Sequence, residues 1–341
     1  MKATIKDVAR EAGVSPSTVS RALHNNPRIS SEVRQRIQEI AVRLDFHPNQ
    51  MARSLVSRKT RIVGIVFPGD AGQSLGHPFF PAVLQGLGHA ASERRYHLLL
   101  ATGSEAVTIA EASRQLVDSG YVSGLIILAA EASPQLDVSV PVVVIGRPAD
   151  ARQRHYVDNN NVAAGYAAAR YLLDRGHRRV MLLGYDPHYN VTVDRLDGYR
   201  RALEEAGLTP REDWIVPSRF IHNTTDNEAL SHIFLSEDRP TAVVSMDDAL
   251  SIGLMGLLGG MGLSVPQQVS IISFNNTDAG RYHVPALTSF DVDPYRLGLS
   301  AMNLMLDILK GHVTEPSALE VPFSLVERGS VEALGSGLPQ W

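Results

Sequence analysis

Residues 4–23 read TIKDVAREAGVSPSTVSRAL, and this segment predicts two short helices joined by a tight turn. Thr4 precedes Asp7 by three residues, which is the capping-box spacing at the start of a helix. Gly13 stands where a chain that leaves a helix takes a positive φ angle, which glycine adopts at little cost. Ser15 and Pro16 then supply a capping hydroxyl and a first-turn proline for the second helix.

The two predicted helices each have an apolar and a polar side. The apolar positions recur at helical spacing and are Ile5, Val8, Ala12, Val19 and Leu23. The polar side of the second helix carries Pro16, Ser17, Ser20 and Arg21. A short polar second helix suits the major groove of DNA, so the segment is interpreted as a DNA-binding helix-turn-helix. An ordinary helical hairpin is the alternative that the turn pattern alone leaves open.

The charge of the chain is divided unevenly between its N-terminal part and the remainder. The 341 residues carry a formal net charge of −4, but residues 1–61 hold 12 Lys and Arg against 5 Asp and Glu, a net charge of +7. The remaining residues hold 20 basic against 31 acidic side chains, a net charge of −11. A small basic module on an acidic body indicates a polyanionic partner for the N-terminal part only.

A third helix is expected next, capped by Ser30 or Ser31. Its apolar positions are Val33, Ile37, Ile40, Ala41 and Leu44. The segment Phe46–Asn49 interrupts that pattern, and residues 49–56 are long enough only for a two-turn helix that is marginal alone. We therefore predict an all-α headpiece over residues 1–47. A hinge over residues 48–60 is expected to become helical only with a partner chain or DNA.

The sequence changes character at Arg61. From there, short apolar runs alternate with predicted helices, which indicates parallel sheets covered on both faces. The pattern restarts at Asn161, which predicts two α/β lobes within residues 61–330. The first lobe is expected over about residues 61–158 and 292–320, and the second over about residues 159–291 and 321–330. Two lobes joined by several crossings form a cleft that can hinge around a small ligand.

Some elements of the body are predicted in detail. A helix is expected over Glu105–Ser119 and another from Arg195 to Ala206. The last helix, Pro294–Lys310, is expected to return to the first lobe, and a closing strand, Val321–Val326, to the second. Residues 331–341 are interpreted as a C-terminal tail.

Composition excludes or disfavours several classes of protein. The chain has no cysteine, which excludes disulfides, iron–sulfur clusters and cysteine-based zinc sites and fits a reducing cytoplasm. Neither a signal-peptide pattern nor a run of ~18 apolar residues is found, so no membrane partner is expected. The 12 histidines show no clustered metal spacing, so neither a metal nor another cofactor is expected.

An enzyme is considered because residues 72–76 (GQSLG) match the serine-hydrolase string. A loop at Pro68–Ala71 is expected to separate that string from the preceding strand, and no helix follows it at once. The nucleophile turn of such enzymes needs a strand, a turn and a helix in direct succession. The sequence therefore disfavours a serine hydrolase.

Several motifs occur together in one order along the chain. The earlier ones are residues 4–9 (TIKDVA), 12–15 (AGVS), 18–21 (TVSR), 52–55 (ARSL) and 62–65 (IVGI). The later ones are residues 77–80 (HPFF), 195–199 (RLDGY), 247–248 (DD), 269–274 (VSIISF) and 285–288 (PALT). Together they resemble the lactose/galactose repressor (LacI/GalR) family along the whole chain. The resemblance implies a periplasmic-binding-protein-like body and a dimeric, ligand-responsive transcription regulator, usually a repressor of sugar-utilisation genes.

Roles in DNA binding follow from the resemblance. Pro16, Ser17 and Arg21 match the family's base-reading positions, and Arg21 can form a bidentate contact with guanine. Phosphate contacts are assigned to Thr4, Ser15, Thr18 and Arg28. Leu55 matches the leucine that enters the minor groove at the centre of the operator, flanked by Asn49 and Arg53. Packing of Leu55 on its dimer mate alone is the alternative.

The resemblance also implies a sugar site in the cleft. Such a site needs polar groups that bond two hydroxyls at once and an aromatic face for the ring. The candidate residues are Phe79, Phe80, Arg147, Arg195, Phe220, Asp247 and Asn275. Structural alternatives stay open: the phenylalanines can be core, Arg147 can pair with a nearby acid, and Asp247 or Asp248 can cap a helix.

The choice of sugar and the response to it are less well determined by the sequence. Residues 146–148 (GRP) and 274–276 (FNN) resemble the maltose-repressor branch, which implies maltose or another α-glucoside. Asparagine at position 275, where the family often has aspartate, leaves the sugar open. The resemblance implies that the ligand changes the angle between the lobes and so forms or melts the paired hinge helices. Induction and co-repression both stay open.

Two further expectations concern assembly and rival functions. The tail contains no leucine heptads, so a dimer is expected rather than a tetramer. A sugar-binding protein of the extracytoplasmic type is the rival reading, because the two-lobed body would suit it. The absent signal peptide and the basic headpiece disfavour this rival.

Overall fold

Residues 3–23, 25–46, 60–70, 75–103, 108–128, 136–217 and 224–334 are described by the structure, a computed structural model. They belong to two units, the headpiece (residues 1–60) and the body (residues 61–341). The predicted hinge helix with Asn49, Arg53 and Leu55 lies outside the described residues, as does Phe220.

In its described residues the headpiece has three helices, α1 (Ile5–Ala12), α2 (Pro16–Leu23) and α3 (Ser31–Arg43). The first begins as predicted, because Thr4 donates its backbone N–H and its hydroxyl to the Asp7 carboxylate at 3.0 and 2.7 Å. Gly13 ends it with a φ angle of 68°. Ser30, one of the two predicted caps of α3, accepts the N–H of Val33 at 3.4 Å. The buried core consists of Val8, Ala9, Ala12, Val19, Ala22, Ile37, Ile40 and Ala41.

The body contains alternating strands and helices. It begins with β1 (Ile62–Asp70), α4 (Phe79–Glu93), β2 (His97–Gly103), α5 (Ile109–Asp118), β3 (Gly124–Leu128), β4 (Val142–Ile145) and β5 (His155–Asp158). It continues with α6 (Asn161–Asp174), β6 (Val180–Leu183), α7 (Asn190–Glu205), β7 (Ile215–Val216), α8 (Thr224–Leu235), β8 (Ala242–Ser245), α9 (Asp248–Gly260), β9 (Ser270–Phe274), α10 (Asp278–Tyr282) and β10 (Thr288–Asp291). The last elements are α11 (Pro294–Leu309), β11 (Ala318–Glu320) and β12 (Ser324–Val326).

These elements form two lobes, each built on a six-stranded sheet. The first sheet has the order β11-β5-β4-β3-β1-β2 and is parallel. The second has the order β12-β10-β9-β8-β6-β7, and its β10–β12 pair is antiparallel. Every residue of β3 and β9 is buried, because each sheet is covered on both faces. The predicted fold class is confirmed, with one antiparallel edge strand as a correction to the expected parallel sheets.

Two predicted helix starts in the body are wrong. The helix expected over Glu105–Ser119 begins at Ile109, because Thr108 caps it and donates its N–H to the carboxylate of Glu111 at 3.0 Å. The helix expected from Arg195 begins at Asn190. Residues 190–193 (NVTV) alternate polar and apolar side chains, which is not the apolar period of a helix. Contacts with distant residues, such as that of Asn190 with Arg147, hold this turn and are not visible in the local pattern.

The end of the body also differs from the prediction. The closing strand expected over Val321–Val326 is replaced by β11 and β12, which join different sheets. Val321 lies between them, and its N–H donates to the carbonyl of Asp158 at 2.9 Å. Residues 331–334 of the predicted tail run along the second lobe, where Leu334 N–H donates to the carbonyl of Arg175 at 2.8 Å. The strands β5, β10 and β11 were not predicted from the sequence.

The chain crosses between the lobes after β5, after β10 and after β11. Asn159 in the first crossing donates its side-chain amide to the carbonyl of Val292 at 3.0 Å and to that of Val321 at 2.8 Å. Those two carbonyls belong to the second and third crossings. One buried side chain therefore joins all three segments about which the lobes can turn.

Candidate DNA-binding face and effector cleft

The second helix of the headpiece turns its polar side to solvent. Pro16, Ser17 and Arg21, the residues predicted to read bases, are exposed on α2, whereas Val19 and Ala22 are buried. All three exposed residues lie within the first two turns of the helix. This face offers a guanidinium, a hydroxyl and an apolar ring, which are groups that base edges in the major groove can contact.

Two of the residues predicted to contact phosphates, Ser15 and Thr18, lie at the start of α2. Ser15 Oγ accepts the N–H of Thr18 at 3.2 Å and lies 2.8 Å from Ser17 Oγ, so hydroxyls cluster at the start of α2. Thr4 and Arg28 are exposed. Hydroxyls, backbone N–H groups at a helix start and arginine side chains are common phosphate ligands.

The cleft of the body lies between the lobes, at the carboxyl ends of their parallel strands, where open α/β sheets bind ligands. Nε2 of His77 in the first lobe lies 4.0 Å from Oδ2 of Asp247 in the second. The ring of Phe79 packs against apolar residues of both lobes. These contacts show that the loops which follow the strands of the two lobes face each other.

Arg195 is buried and held by three neighbours from the second lobe. Its Nε donates to Oδ1 of Asn161 at 3.0 Å, and its Nη1 donates to the carbonyl of Met246 at 2.9 Å. Its guanidinium carbon lies 3.8 Å from the centroid of the Phe274 ring. Among the described residues no acceptor is bonded to Nη2. The side chain is therefore fixed in direction and retains a donor for a ligand.

The charge of Arg195 depends on its surroundings. Burial lowers the pKa of its guanidinium to about 10, and the nearby carboxylates of Asp158 and Asp247 act in the opposite direction. The group remains cationic at neutral pH. An anionic or hydroxyl oxygen that approaches it would meet a charged, desolvated donor, which forms a stronger hydrogen bond than an exposed one.

Arg147 joins the two lobes through an ion pair. Its Nε donates to Oδ2 of Asp194 at 2.8 Å, and its Nη2 donates to Oδ1 at 2.5 Å. The Asp194 side chain is 8% exposed, and its hydrogen bond raises the pKa of the Arg147 guanidinium against the effect of burial. Asn190 donates its side-chain amide to the Arg147 carbonyl at 2.7 Å. Pairing with an acid was the structural alternative for Arg147 in the sequence.

Asp158 lies at the first crossing and is almost fully buried. Its Oδ2 accepts the N–H of Arg147 at 2.9 Å, and its Oδ1 accepts the N–H of Asn159 at 2.8 Å. Burial raises the pKa of Asp158 to about 6, although these two hydrogen bonds lower it. The crossing therefore contains a carboxyl group whose pKa lies above its ordinary value because it is buried.

Asp247 both caps a helix and faces the cleft. Its Oδ1 accepts the N–H of Leu250 at 2.8 Å at the start of α9, while its Oδ2 is the atom nearest to His77. Asn275 follows β9 with a φ angle of 93°, and its N–H donates to the carbonyl of Phe290 at 2.8 Å. Its side chain has no hydrogen-bond partner within the described part of the chain.

The first lobe contributes an aromatic group at the start of α4. The centroid of Phe80 lies 5.3 Å from that of Phe79, 5.9 Å from that of His77 and 6.0 Å from that of Phe67, each pair in an edge-on arrangement. Phe79 and Phe80 are partly buried. Both pack against the core of the first lobe, which is the structural alternative that the sequence left open, and both remain partly exposed.

Four residues of the cleft were not recognised in the sequence: His77, Asn161, Asn190 and Asp194. Two of them had a signal, because His77 opens the HPFF motif and Asp194 directly precedes Arg195. Asn190 was missed because the helix that carries it was expected to begin five residues later. Asn161 marks the predicted start of the second lobe and was not assigned to the site.

The described ranges contain no group of three His, Asp or Glu side chains able to hold a metal ion. They also contain no helix long and apolar enough to cross a membrane.

Both units resemble known proteins. Residues 4–49 match the family model for bacterial regulatory proteins of the lacI family, and residues 169–331 match that for a periplasmic binding protein-like domain. The chain is 32% identical over 314 residues to the HTH-type transcriptional regulator MalR of Streptococcus pneumoniae serotype 4. The aligned region covers 91% of this chain and 93% of that protein. The chain belongs to the LacI family.

Other members of the LacI family are similarly close. The chain is 31% identical over 340 residues to the HTH-type transcriptional repressor PurR of Pectobacterium carotovorum subsp. carotovorum, with 96% of this chain and 97% of that protein covered. Among solved structures, the complex of the transcriptional regulator CelR with cellobiose superposes on this chain with a TM-score of 0.73 at 26% sequence identity. The superposition covers 96% of this chain and 99% of the CelR chain. The chain is accordingly a DNA-binding transcription regulator with an effector-binding domain, and not an enzyme.

Proposed function

We propose that this LacI-family regulator represses sugar-utilisation genes and that a small sugar controls its affinity for DNA. One observation carries the proposal: a polar set on the second lobe faces an aromatic set on the first across one cleft. Arg195 supplies a fixed donor and Asp247 a fixed acceptor. Phe79 and Phe80 supply apolar ring faces. A sugar ring needs both kinds of group.

Within the sugars we propose maltose or another α-glucoside as the effector. The relative at 32% identity is named MalR, and the CelR structure contains cellobiose, also a disaccharide. The proposed effector set is Phe79, Phe80, Arg147, Arg195, Phe220, Asp247 and Asn275. Within it Arg147 acts through its pair with Asp194, because that pair already occupies its Nε and Nη2.

For DNA we propose that a homodimer binds a pseudo-palindromic operator in the cytoplasm. Pro16, Ser17 and Arg21 read base edges, and Thr4, Ser15, Thr18 and Arg28 set the register on the phosphates. The exposure of the α2 face leaves Pro16, Ser17 and Arg21 accessible to DNA. In this complex residues 1–47 form the DNA-binding domain and residues 48–60 the hinge. Leu55 enters the minor groove and is flanked by Asn49 and Arg53.

The switch follows from the contacts between the lobes. An effector that binds Arg195, Asp247 and the aromatic group contacts both lobes, so it binds most tightly at one angle between them. The three crossings joined by Asn159 supply the axis of that motion. Because residues 61 and 60 are consecutive, a change in the first lobe reaches the hinge directly.

A thermal-shift screen of the full chain tests the effector class. Maltose, cellobiose, glucose and ribose form one arm, and purine bases form the other, since a purine is the alternative effector class. We expect a disaccharide to raise the melting temperature most, by several degrees at concentrations well above its dissociation constant. A shift with purines alone would refute the proposed sugar effector and leave the family assignment intact.

A further inference from the structure

A buried carboxylate lies beside the cleft and is outside the proposed effector set. Asp248 is 1% exposed and follows Asp247 at the start of α9. Its Oδ2 accepts the N–H and the hydroxyl of Thr277 at 2.6 and 2.9 Å, and its Oδ1 accepts the hydroxyl of Ser289 at 2.8 Å. Burial raises the pKa of the Asp248 carboxyl, opposed by its hydrogen bonds to Thr277, Ser273 and Ser289.

The two hydroxyl groups that donate to Asp248 also accept hydrogen bonds from neighbouring backbone N–H groups. Ser289 Oγ also accepts the N–H of Asn276 at 3.0 Å, and Thr277 Oγ1 also accepts the N–H of Gly280 at 3.2 Å. Gly280 leaves room for the carboxylate, because a Cβ there would lie 3.0 Å from Oδ2 of Asp248. One carboxylate therefore fixes the loop Asn275–Thr277, called the Asn275 loop below, and the start of α10.

The Asn275 loop has an unusual backbone. Asn275 and Asn276 have φ angles of 93° and 49°, a region that residues other than glycine rarely occupy. Such a conformation persists where the surroundings over-determine it. Asn276 is held further by its side chain, which donates to Asp291 at 3.0 Å and accepts from Arg328 at 2.5 Å. The backbone of the loop is thus bonded while the amide of Asn275 is left for a ligand.

We propose that Asp248 is the positioning residue of the effector site: it fixes the loop that carries Asn275 and the start of the helix that Asp247 caps. The inference rests on the proposed function, because it concerns the same cleft. Asp248 acts through those two residues and does not contact the effector. The N–H and hydroxyl of Thr277 and the hydroxyl of Ser289 donate to its two oxygens, so an amide in its place would turn an N–H group toward a donor.

The experiment compares three variants of the full chain: Asp248→Asn, Ser289→Ala and the control Ser330→Ala. Ser289 and Ser330 are both 0% exposed. Each hydroxyl accepts one backbone N–H and donates one hydrogen bond. Ser330 accepts from Thr288 and donates to the carbonyl of Ile271, whereas Ser289 accepts from Asn276 and donates to Asp248. Removal of either hydroxyl therefore costs the fold a similar pair of bonds. Only Ser289 is bonded to Asp248 and to the Asn275 loop.

Amide hydrogen exchange without effector gives the first readout. In Asp248→Asn and Ser289→Ala we expect the amides of Asn276 and Thr277 to exchange at least tenfold faster than in the wild type. In Ser330→Ala we expect faster exchange at Thr288 and no change in the Asn275 loop. Unchanged exchange of the loop in both test variants would overturn the positioning role, whatever the effector is.

Calorimetric titration with maltose gives the second readout. We expect its dissociation constant to rise at least tenfold in Asp248→Asn and Ser289→Ala and to stay within twofold in Ser330→Ala. An equal loss of maltose affinity in all three variants would mean that Asp248 only stabilises the fold. If the two test variants show the expected faster exchange but the wild type does not bind maltose, the proposed effector is refuted. The positioning of the loop by Asp248 then still stands.

Discussion

On the headpiece, Pro16, Ser17 and Arg21 stand exposed on one helix of eight residues, whereas in the cleft Arg195 and Asp194 are buried and bonded to other elements. The α2 face is made by neighbouring residues of one segment. The cleft is made by side chains that meet from strands and helices far apart in the chain. The two surfaces therefore differ in how binding is linked to folding.

That difference has a consequence for substitution. An exposed residue on α2 can change without leaving a buried polar group behind, so its replacement acts on DNA binding and little on stability. A cleft residue is part of a buried hydrogen-bond network, so its replacement acts on effector binding and on stability together. The predictions below test this contrast, from the largest expected effect to the smallest.

Arg195→Ala should have the largest effect. We expect it to abolish effector binding and to lower the free energy of unfolding of the body by about 3–4 kcal/mol, because Asn161 and the Met246 carbonyl lose a charged donor. Urea unfolding and calorimetry measure the two losses. The control is Arg201→Ala on the same helix, whose side chain is 66% exposed and pairs with Glu205. Equal destabilisation by both variants would contradict the contrast.

Asp158 should make the stability of the body depend on pH. Its pKa of about 6 in the folded chain lies above the ordinary value of 3.8, so the folded state favours the protonated acid. The protonated carboxyl stabilises the folded state fully below about pH 4. This stabilisation is lost as the pH rises through about 6, a change of about 3 kcal/mol in the free energy of unfolding. Urea unfolding of the wild type and of Asp158→Asn between pH 4 and pH 7 measures it. A constant difference between them across that window would refute the prediction.

Arg21→Ala should act on DNA and spare the fold. We expect a loss of about 1–3 kcal/mol that is confined to one operator position. Arg28→Ala should weaken binding to all sequences alike and reduce the salt slope by about 1. Fluorescence anisotropy with an operator and its single-base variants measures both. A loss of specificity of the same size from both variants would remove the distinction between base and phosphate contacts.

The pair between Arg147 and Asp194 should contribute the smallest effect, because Arg147 is 39% exposed. A double-mutant cycle of Arg147→Gln and Asp194→Asn should give a coupling energy of about 1 kcal/mol in the unfolding of the body. The exposed pair Arg170–Asp174 is the control, and its coupling should be less than about 0.5 kcal/mol. Couplings of equal size would mean that the contact between the lobes contributes no more than a surface pair.

The headpiece was predictable from the sequence because its signals are local. Thr4 and Asp7 are three residues apart, and Gly13, Ser15 and Pro16 mark the turn by their own conformational preferences. Each of these contacts forms within one helical turn. The starts of α1, α2 and α3 could therefore be derived to within one residue.

The cleft was predictable only in part. Arg195 and Asp247 were found through the resemblance to a family, and the pattern of strands and helices indicated where a cleft would be. The partners of Arg147 and Asn159 are 47 and 162 residues away in sequence, and no local pattern encodes such a contact. The role of Asp248 likewise depends on Ser289, which lies 41 residues further along the chain.

In the proposed switch, occupancy of the cleft controls DNA binding by the headpiece. The most direct test uses an operator selected from random DNA with the full chain and measures its dissociation constant at fixed salt, with and without the sugar that gives the largest thermal shift. The account predicts a change of at least tenfold, in either direction. A dissociation constant that stays within twofold while calorimetry shows the sugar bound would contradict it.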